Sequence, residues 1–244
     1  MSNGLGESKD VFYFSTCGEV NTQKTLELAL DRASKLGISK LIVASETGLS
    51  ALKAADMLQG SNVNLIVVTS AAGTRIEKTV IGDLRIGIPD KRIWNQLERS
   101  GAKIVRATDP LYNIGASLEK KGVPTLATLI RLCLGMVSSG TAVCVTAALM
   151  ATDNGLLREG EEVVAAAGSW VGLDTALVVQ VTNSVNLLKA GSLQIREIVC
   201  KPRNPAHSWP INQKDWVGDL DPYKAFAEQC ACSNCRQPGT ASQM

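Results

Sequence analysis

Five short apolar runs, each bounded by turn residues, predict strands that are buried on both faces of a sheet. They lie at residues 11–14, 40–44, 64–69, 102–106 and 162–167. Between these runs the apolar positions repeat with helical spacing, and Gly37 follows the clearest helix as a stop signal. The pattern therefore predicts five helices, at residues 22–36, 49–58, 89–100, 124–134 and 142–153.

Strand and helix alternate along the chain, which is typical of a mostly parallel sheet covered by helices on both faces. Two late apolar runs, at residues 174–181 and 194–199, are compatible with edge or antiparallel strands. The character of the chain changes near residue 201, where prolines and scattered aromatic residues begin. We therefore predict one α/β domain at residues 1–203 and an extended tail at residues 204–244 that wraps around it.

Composition narrows the class of partner. The chain has 25 basic and 23 acidic residues without a long run of like charge, so nothing favours nucleic acid or a membrane surface. Aromatic residues make up only 4% of the chain, which argues against stacking on single-stranded bases. Composition therefore gives no reason to expect nucleic acid or a membrane as the partner.

Membrane segments and disulfides are not expected either. The longest apolar stretch, around residues 141–150, is too short to span a bilayer, and residues 1–10 lack the apolar core of a secretory signal. Seven cysteines in 244 residues do not resemble a disulfide scaffold. Cys133, Cys144 and Cys200 lie in apolar segments and are predicted to be small buried hydrophobic residues. A reducing cytoplasm is the expected location.

Small and hydroxyl residues are concentrated in three turns at predicted strand ends, where ligands bind in open α/β sheets. We name these turns the first loop (residues 15–22), the second loop (residues 44–50) and the third loop (residues 168–175). The residues predicted to face a ligand are Cys17, Gly18, Asn21 and Thr22 in the first loop, Ser45, Glu46, Thr47 and Gly48 in the second, Gly168, Asp174 and Thr175 in the third, and Thr69 and Thr108 at neighbouring strand ends.

The second loop has the strongest chemical reason to bind an anion. Its hydroxyls precede a predicted helix, and the amino end of a helix attracts negative charge. Gly48 is predicted to let a ligand approach the backbone closely, whereas Glu46 repels an anion unless its side chain turns to solvent or to hydroxyl groups. Such residues also populate ordinary turns, and no phosphate-loop or dinucleotide fingerprint is present.

Other candidates allow two interpretations each. Cys17 precedes a helix, which lowers the pKa of a thiol, yet a packing role in a tight turn is favoured. Asp174 and Thr175 could bind sugar hydroxyls or cap their own turn. In the tail, Cys230, Cys232 and Cys235 have a spacing compatible with zinc or an iron–sulfur cluster, although a fourth ligand is missing and a flexible terminus is the alternative.

Several stretches resemble a known family. Residues 41–51, Leu-Ile-Val-Ala-Ser-Glu-Thr-Gly-Leu-Ser-Ala, and residues 64–69 are similar to the C-terminal α/β domain of pyruvate kinase, where a hydroxyl-rich turn before a helix holds a phosphate of the sugar-bisphosphate effector. Residues across the chain also resemble a stand-alone family of uncharacterised proteins related to that domain. The resembling stretches lie at residues 18–22, 147–153, 160–164, 173–178 and 195–200.

The resemblance implies a three-layer α/β/α fold and, for the stand-alone family, an FMN-like ligand whose ribityl hydroxyls would meet Asp174, Thr175 or Asn21. It does not imply pyruvate kinase activity, because that chemistry belongs to a separate barrel domain. Any redox chemistry of a flavin-dependent oxidoreductase would be supplied by the flavin. The alternatives are a sensor module for a phosphosugar or nucleotide, and a metal or redox partner protein acting through the tail cysteines. Homo-oligomers are also expected.

Overall fold

Seven of the nine strands in the described residues form one sheet, and the other two form a hairpin. The computed structural model describes residues 6–79, 82–205 and 219–224. The strands are β1 (Phe12–Phe14), β2 (Lys40–Ala44), β3 (Asn64–Ser70), β4 (Arg75–Thr79), β5 (Gly82–Arg85), β6 (Lys103–Ala107), β7 (Glu162–Ala167), β8 (Thr175–Gln180) and β9 (Gln194–Pro202). The helices are α1 (Thr22–Leu36), α2 (Leu49–Met57), α3 (Lys91–Arg99), α4 (Asn113–Glu119), α5 (Leu126–Gly135) and α6 (Ser139–Asp153).

The order of strands across the sheet is β1-β9-β8-β7-β2-β3-β6. All neighbours pair in parallel except that β8 runs antiparallel to both β7 and β9. The carboxyl ends of the other six strands therefore lie at one edge of the sheet, together with the amino end of β8. The prediction of a mostly parallel sheet is confirmed. The late strands are also confirmed, although β9 lies inside the sheet and not at its edge.

Helices cover both faces of the sheet because its central strands are apolar on both sides. Leu41, Val43 and Val67 belong to the hydrophobic core beneath α1, α2 and α3. Their alternating neighbours Ile42 and Ile66 belong to the core beneath α6, which packs against β2, β3, β7 and β8. This period of two is the reason that the short apolar runs form strands and not helices. The three-layer architecture is confirmed.

Helix ends follow the local sequence signals where those signals are present. Helix α1 has the predicted bounds and ends at Gly37 with a φ of 66°. Helix α6 starts three residues before the predicted position because the Ser138 side chain accepts a hydrogen bond from the Thr141 amide. The β4–β5 hairpin and α4 were not predicted, since neither carries a long periodic pattern. No helix in the described part of the chain is long and apolar enough to cross a membrane.

Helix α5 presents an apolar face to solvent. Its inner side packs on α6 through Ile130 and Leu134, whereas large apolar side chains remain exposed along its outer side. Cys133 is exposed on this helix, so the prediction that it is a buried residue is wrong, while Cys144 and Cys200 are buried as predicted. The outer side chains are Leu126, Leu129, Leu132 and Met136. The homo-oligomer stays a prediction.

Candidate functional site

The three loops predicted to bind a ligand lie at the same edge of the sheet. The first loop follows β1, the second follows β2, and the third connects β7 to β8. The first and third loops are joined by hydrogen bonds. Thr22 Oγ1 accepts one from the Leu173 amide at 2.9 Å, and Thr25 Oγ1 donates one to the Leu173 carbonyl at 3.2 Å. The second loop lies beside them because β2 pairs with β7.

Asp174 holds the first and third loops together from the inside. Its side chain has no exposed surface. The Oδ2 atom accepts hydrogen bonds from the amides of Gly18 at 3.2 Å and Ser169 at 3.1 Å, and Thr175 Oγ1 donates to Oδ1 at 3.0 Å. Burial raises the pKa of Asp174, and these hydrogen bonds oppose the rise. The Asp174 carboxylate is therefore hydrogen-bonded within the protein itself. Of the two interpretations of Asp174, binding of sugar hydroxyls and capping of its own turn, the structure agrees with capping.

The other first-loop candidates are also engaged by the chain. The Asn21 side chain donates to the Thr16 carbonyl at 2.7 Å and makes no capping hydrogen bond to α1. Cys17 is buried, and its thiol is 3.7 Å from the Asn204 carbonyl. In the third loop, a Cβ on Gly168 would lie 2.1 Å from the Gly172 carbonyl oxygen, so a glycine is required for the tight connection between the strands.

Glu46 anchors the second loop to its neighbours. Its carboxylate accepts hydrogen bonds from Thr69 Oγ1 at 3.0 Å, from the Ser70 amide at 3.1 Å and hydroxyl at 2.6 Å, and from the Gly87 amide at 3.3 Å. The side chain thus turns to hydroxyls and amides, the orientation in which a carboxylate disturbs a nearby anion least. Thr69 supports Glu46 and is itself buried.

The amino end of α2 carries no side-chain cap. Gly48 is the N-cap residue with a φ of 90°, and the Leu49 amide makes only a long contact of 3.4 Å with Thr47 Oγ1. A Cβ on Gly48 would lie 2.4 Å from Ile93 Cγ2. Both this φ and the packing against α3 favour glycine here, and the approach of a ligand to the Gly48 backbone stays a prediction. Ser45 and Thr47 are buried beneath the same turn.

Thr108 stands apart from the other candidates. It is exposed after β6, the edge strand, and β2 and β3 separate that strand from the third loop. Arg106 on the same strand stacks on Trp94 at 4.0 Å from the ring centroid and donates to the Ile88 carbonyl at 3.0 Å. The structure therefore gathers the candidates of the three loops but leaves Thr108 at the far end of the sheet edge.

Sequence reasoning missed Tyr223, which lies on the three loops. Its side chain is buried in a small cluster with Cys17 and Val171, against which Leu49 and Trp170 pack. Burial raises the pKa of Tyr223, while polar contacts of its hydroxyl with the Ser50 side chain and the Gly172 backbone lower it. The sequence offers one signal for the burial of Tyr223, which is an aromatic residue next to a proline in the tail.

Two cavities of the described residues lie away from the three loops. One of about 560 Å³ is lined by Lys40, Glu161 and their neighbours at the opposite sheet edge, where those two side chains form an ion pair with an N–O distance of 2.8 Å. The other, of about 220 Å³, lies beside Tyr112 and Ile114. Neither brings predicted site residues together, so the sheet edge with three convergent loops remains the better candidate site.

A metal site finds no support in the described ranges, where no group of three or more histidine, cysteine or acidic residues could hold an ion. The predicted ligands Cys230, Cys232 and Cys235 lie outside the residues that the structure describes. The zinc or iron–sulfur site therefore stays a prediction.

Two comparisons relate this chain to known proteins. A solved structure of Cryptosporidium parvum pyruvate kinase in complex with ADP matches 81% of this chain with 14% sequence identity and a TM-score of 0.30. The match covers 25% of that longer chain, so this chain spans about a quarter of its length. The family model described as pyruvate kinase, alpha/beta domain, matches residues 23–181, which is more than half of the 244 residues. The chain therefore belongs to the pyruvate kinase alpha/beta domain family.

Proposed function

We propose that this protein binds a small molecule that bears a phosphate group, with the phosphate at the amino end of α2, and that FMN is this ligand. The observation that supports the proposal is the convergence of three hydroxyl-rich loops around a helix terminus without a side-chain cap. The first amides of a helix have no partner within it, and together with the helix dipole they favour an anion. Ser50 and Ala51 contribute such amides.

Cationic side chains near this edge favour the same class of ligand. Lys53, one turn further along α2, forms an ion pair with Glu19 of the first loop. At the carboxyl end of β9, burial lowers the pKa of Lys201 and the neighbouring charge of Arg203 lowers it further. An anion bound near Lys201 and Arg203 would offset the repulsion between their charges.

The arrangement favours binding over acid–base catalysis. Glu46 and Asp174, the two carboxylates predicted to face the ligand, each accept at least three hydrogen bonds from the protein. These hydrogen bonds occupy oxygen lone pairs that a general base would need within hydrogen-bond reach of the substrate proton. We assign Asp174, Thr175 and Gly168 a structural role, and the phosphate-facing role to the second loop.

FMN fits the residues present in two respects. Its phosphate would lie on the Ser50 and Ala51 amides with the hydroxyl of Thr47 nearby, and the aromatic cluster around Tyr223 lies directly beside this position. The bound flavin would supply hydride or electron transfer, while the chain would place and shield it.

A ligand panel tests the proposal. Purified protein is titrated with FMN, riboflavin and a sugar bisphosphate, and the melting temperature is followed. A ligand at 100 times its Kd stabilises the native state by about 2.7 kcal/mol, which raises the melting temperature by roughly 5–10 °C for a chain of this size. FMN is expected to stabilise, and riboflavin, which lacks the phosphate, to do so much less. Equal effects of FMN and riboflavin would contradict a phosphate site.

Charge at the amino end of α2 provides the matched variant. Ser50 is buried, and Ser50→Asp is expected to weaken FMN binding at least tenfold, because two like charges about 4 Å apart repel by roughly 1–4 kcal/mol. Ser50→Asn has nearly the same shape without the charge, so it separates repulsion of the phosphate from the packing cost and should bind FMN more tightly than Ser50→Asp. Isothermal titration measures both. Equal affinities of the two variants would place the phosphate elsewhere.

The engaged carboxylates also favour a second function, a sensor module that binds a phosphosugar or nucleotide without catalysis. It would use the same helix terminus and differ only in the remainder of the ligand. In the ligand panel, stabilisation by the sugar bisphosphate and not by FMN selects this alternative.

A further inference from the structure

The segment at residues 219–224 places the Tyr223 side chain among the three loops of the proposed site. Tyr223 is 4% exposed, although it belongs to a segment whose other side chains are partly or fully exposed. It forms a buried cluster with Cys17 of the first loop and Val171 of the third loop, and Leu49 at the start of α2 packs against this cluster. All three loops that converge at this edge therefore contribute to one pocket around a single ring.

The pocket has two chemically different ends. Its walls are the apolar side chains of Cys17, Val171, Leu49 and Trp170. Its inner end is polar, since the Tyr223 hydroxyl has contacts with the Ser50 side chain and the Gly172 backbone. Apolar walls with a few convergent polar groups are typical of small-molecule sites. The chemistry matches a flat ring with an oxygen on its edge.

The segment is held to the domain mainly by side chains. The Tyr223 and Lys224 amides donate to the Leu220 carbonyl, and the Lys224 side chain forms an ion pair with Asp221. Both partners of each of these contacts belong to the segment itself. Among the described residues, Leu220 and Tyr223 make its packing contacts with the loops. Because residues 219–224 pair with no strand of the sheet, their departure breaks no strand pairing of the described domain.

We propose that the space filled by the Tyr223 ring is a subsite for a flat aromatic ring with an oxygen on its edge, and that residues 219–224 vacate it when such a ligand binds. The identity of the natural ligand rests on the proposed function, whereas the subsite itself does not. In the free protein Tyr223 closes the subsite, so ligand binding competes with the chain's own side chain and its apparent affinity is reduced accordingly.

The first experiment tests the subsite without any phosphate ligand. Tyr223→Ala removes the ring, and 4-methylphenol, which has the shape of the missing side chain, is added as the probe. An apolar space left by a deleted ring can bind a small aromatic molecule. The melting temperature of Tyr223→Ala should rise by about 2–4 °C at saturating probe, while the wild type and Tyr223→Phe, whose rings fill the space, should not respond.

Absence of any probe effect on Tyr223→Ala, with a native circular dichroism spectrum, would mean that the loops close over the space and would overturn the subsite. If Tyr223→Ala instead loses its native spectrum, the melting temperature with and without the probe is measured on Tyr223→Leu, which keeps part of the apolar contact. Binding of the probe to Tyr223→Leu supports the subsite, and its absence overturns it.

The second experiment tests displacement with FMN. Tyr223→Ala should bind FMN at least tenfold more tightly than the wild type, and Tyr223→Phe, which keeps the ring, should stay close to the wild type. Equal or weaker binding by Tyr223→Ala would overturn displacement. If Tyr223→Ala binds 4-methylphenol but neither protein binds FMN, the subsite stands and the FMN proposal fails, so the two failures are distinguishable.

Discussion

Asp174→Ala is expected to lower the free energy of unfolding by about 4 kcal/mol, measured by urea unfolding at neutral pH. The substitution leaves the Gly18 and Ser169 amides buried without an acceptor, and each unsatisfied group costs about 1–3 kcal/mol. The volume of the lost carboxylate adds a small cavity. Because Gly18 and Ser169 lie on different loops, the variant should also loosen the contact between the first and third loops. A loss below about 1 kcal/mol would contradict the role of Asp174 as their link.

Asp174→Asn is the matched control, and it should cost far less, about 1 kcal/mol. The asparagine oxygen can accept from both amides, while its amide nitrogen must donate to Thr175 Oγ1. Thr175 Oγ1 lies 3.1 Å from Ser138 Oγ, which lies 2.8 Å from Thr141 Oγ1, and either atom of each pair can be the donor. The chain of hydroxyls can therefore reverse its direction and satisfy the new donor.

The same pair of proteins gives a pH dependence with a defined sign. Burial raises the pKa of Asp174 above its ordinary value of 3.8. A carboxyl group with a higher pKa in the folded state binds its proton more tightly there, so its contribution to stability is present below pH 3.8 and is lost as the pH rises through the folded-state pKa. Asparagine does not titrate. The stability of the wild type relative to Asp174→Asn should therefore fall as the pH rises from about 3 to 7.

The architecture was predictable because it depends on patterns that span many residues. Apolar runs such as residues 40–44 and 64–69 are buried on both faces, and alternation with amphipathic helices leaves few topologies. The antiparallel direction of β8 was left open by its sequence. A connection of a few residues from Ala167 to Thr175 nevertheless requires it, since parallel neighbours need a long crossover.

The candidate site was predictable only in its location. Strand order places the three loops at one edge, but the sequence does not reveal which polar groups the protein uses for itself. The Asp174 and Glu46 carboxylates accept hydrogen bonds from other elements, with partners as far as 156 residues away along the chain, and the Asn21 side chain bonds to Thr16 within its own loop. Similarly, a side chain at residue 48 would overlap Ile93, a residue of another helix. Such pairings depend on the tertiary arrangement and leave no local pattern.

Tyr223 and Cys133 show that local hydrophobicity alone does not predict whether a side chain is buried. Tyr223 belongs to a polar tail yet is buried, because the loops form a pocket that its ring fills. Cys133 belongs to an apolar helix yet is exposed, because α5 packs on α6 with one side only. Local hydrophobicity predicts burial only when a neighbouring element covers that side of the chain.

Gly172→Ala should destabilise the protein about as strongly as Asp174→Ala and should also disrupt the pocket around Tyr223. A Cβ at residue 172 would lie 2.3 Å from Glu19 Cα and 2.7 Å from Thr22 Oγ1, so two backbone segments would have to separate. The φ of 77° adds strain of about 1–2 kcal/mol for a residue with a side chain, and the overlap adds roughly 1–3 kcal/mol.

Gly155→Ala isolates the two contributions. Gly155 has nearly the same φ, 74°, but a Cβ there meets no atom within 4 Å. It should therefore show the backbone strain alone, and urea unfolding should separate the two variants by at least about 1 kcal/mol. Because the Gly172 backbone contacts the Tyr223 hydroxyl, only Gly172→Ala should also increase the exposure of Tyr223, which hydrogen exchange of residues 219–224 can detect. Equal stability of the two variants would mean that the first and third loops can move apart freely, and a pocket built between them would then lack the rigid walls that ligand binding requires.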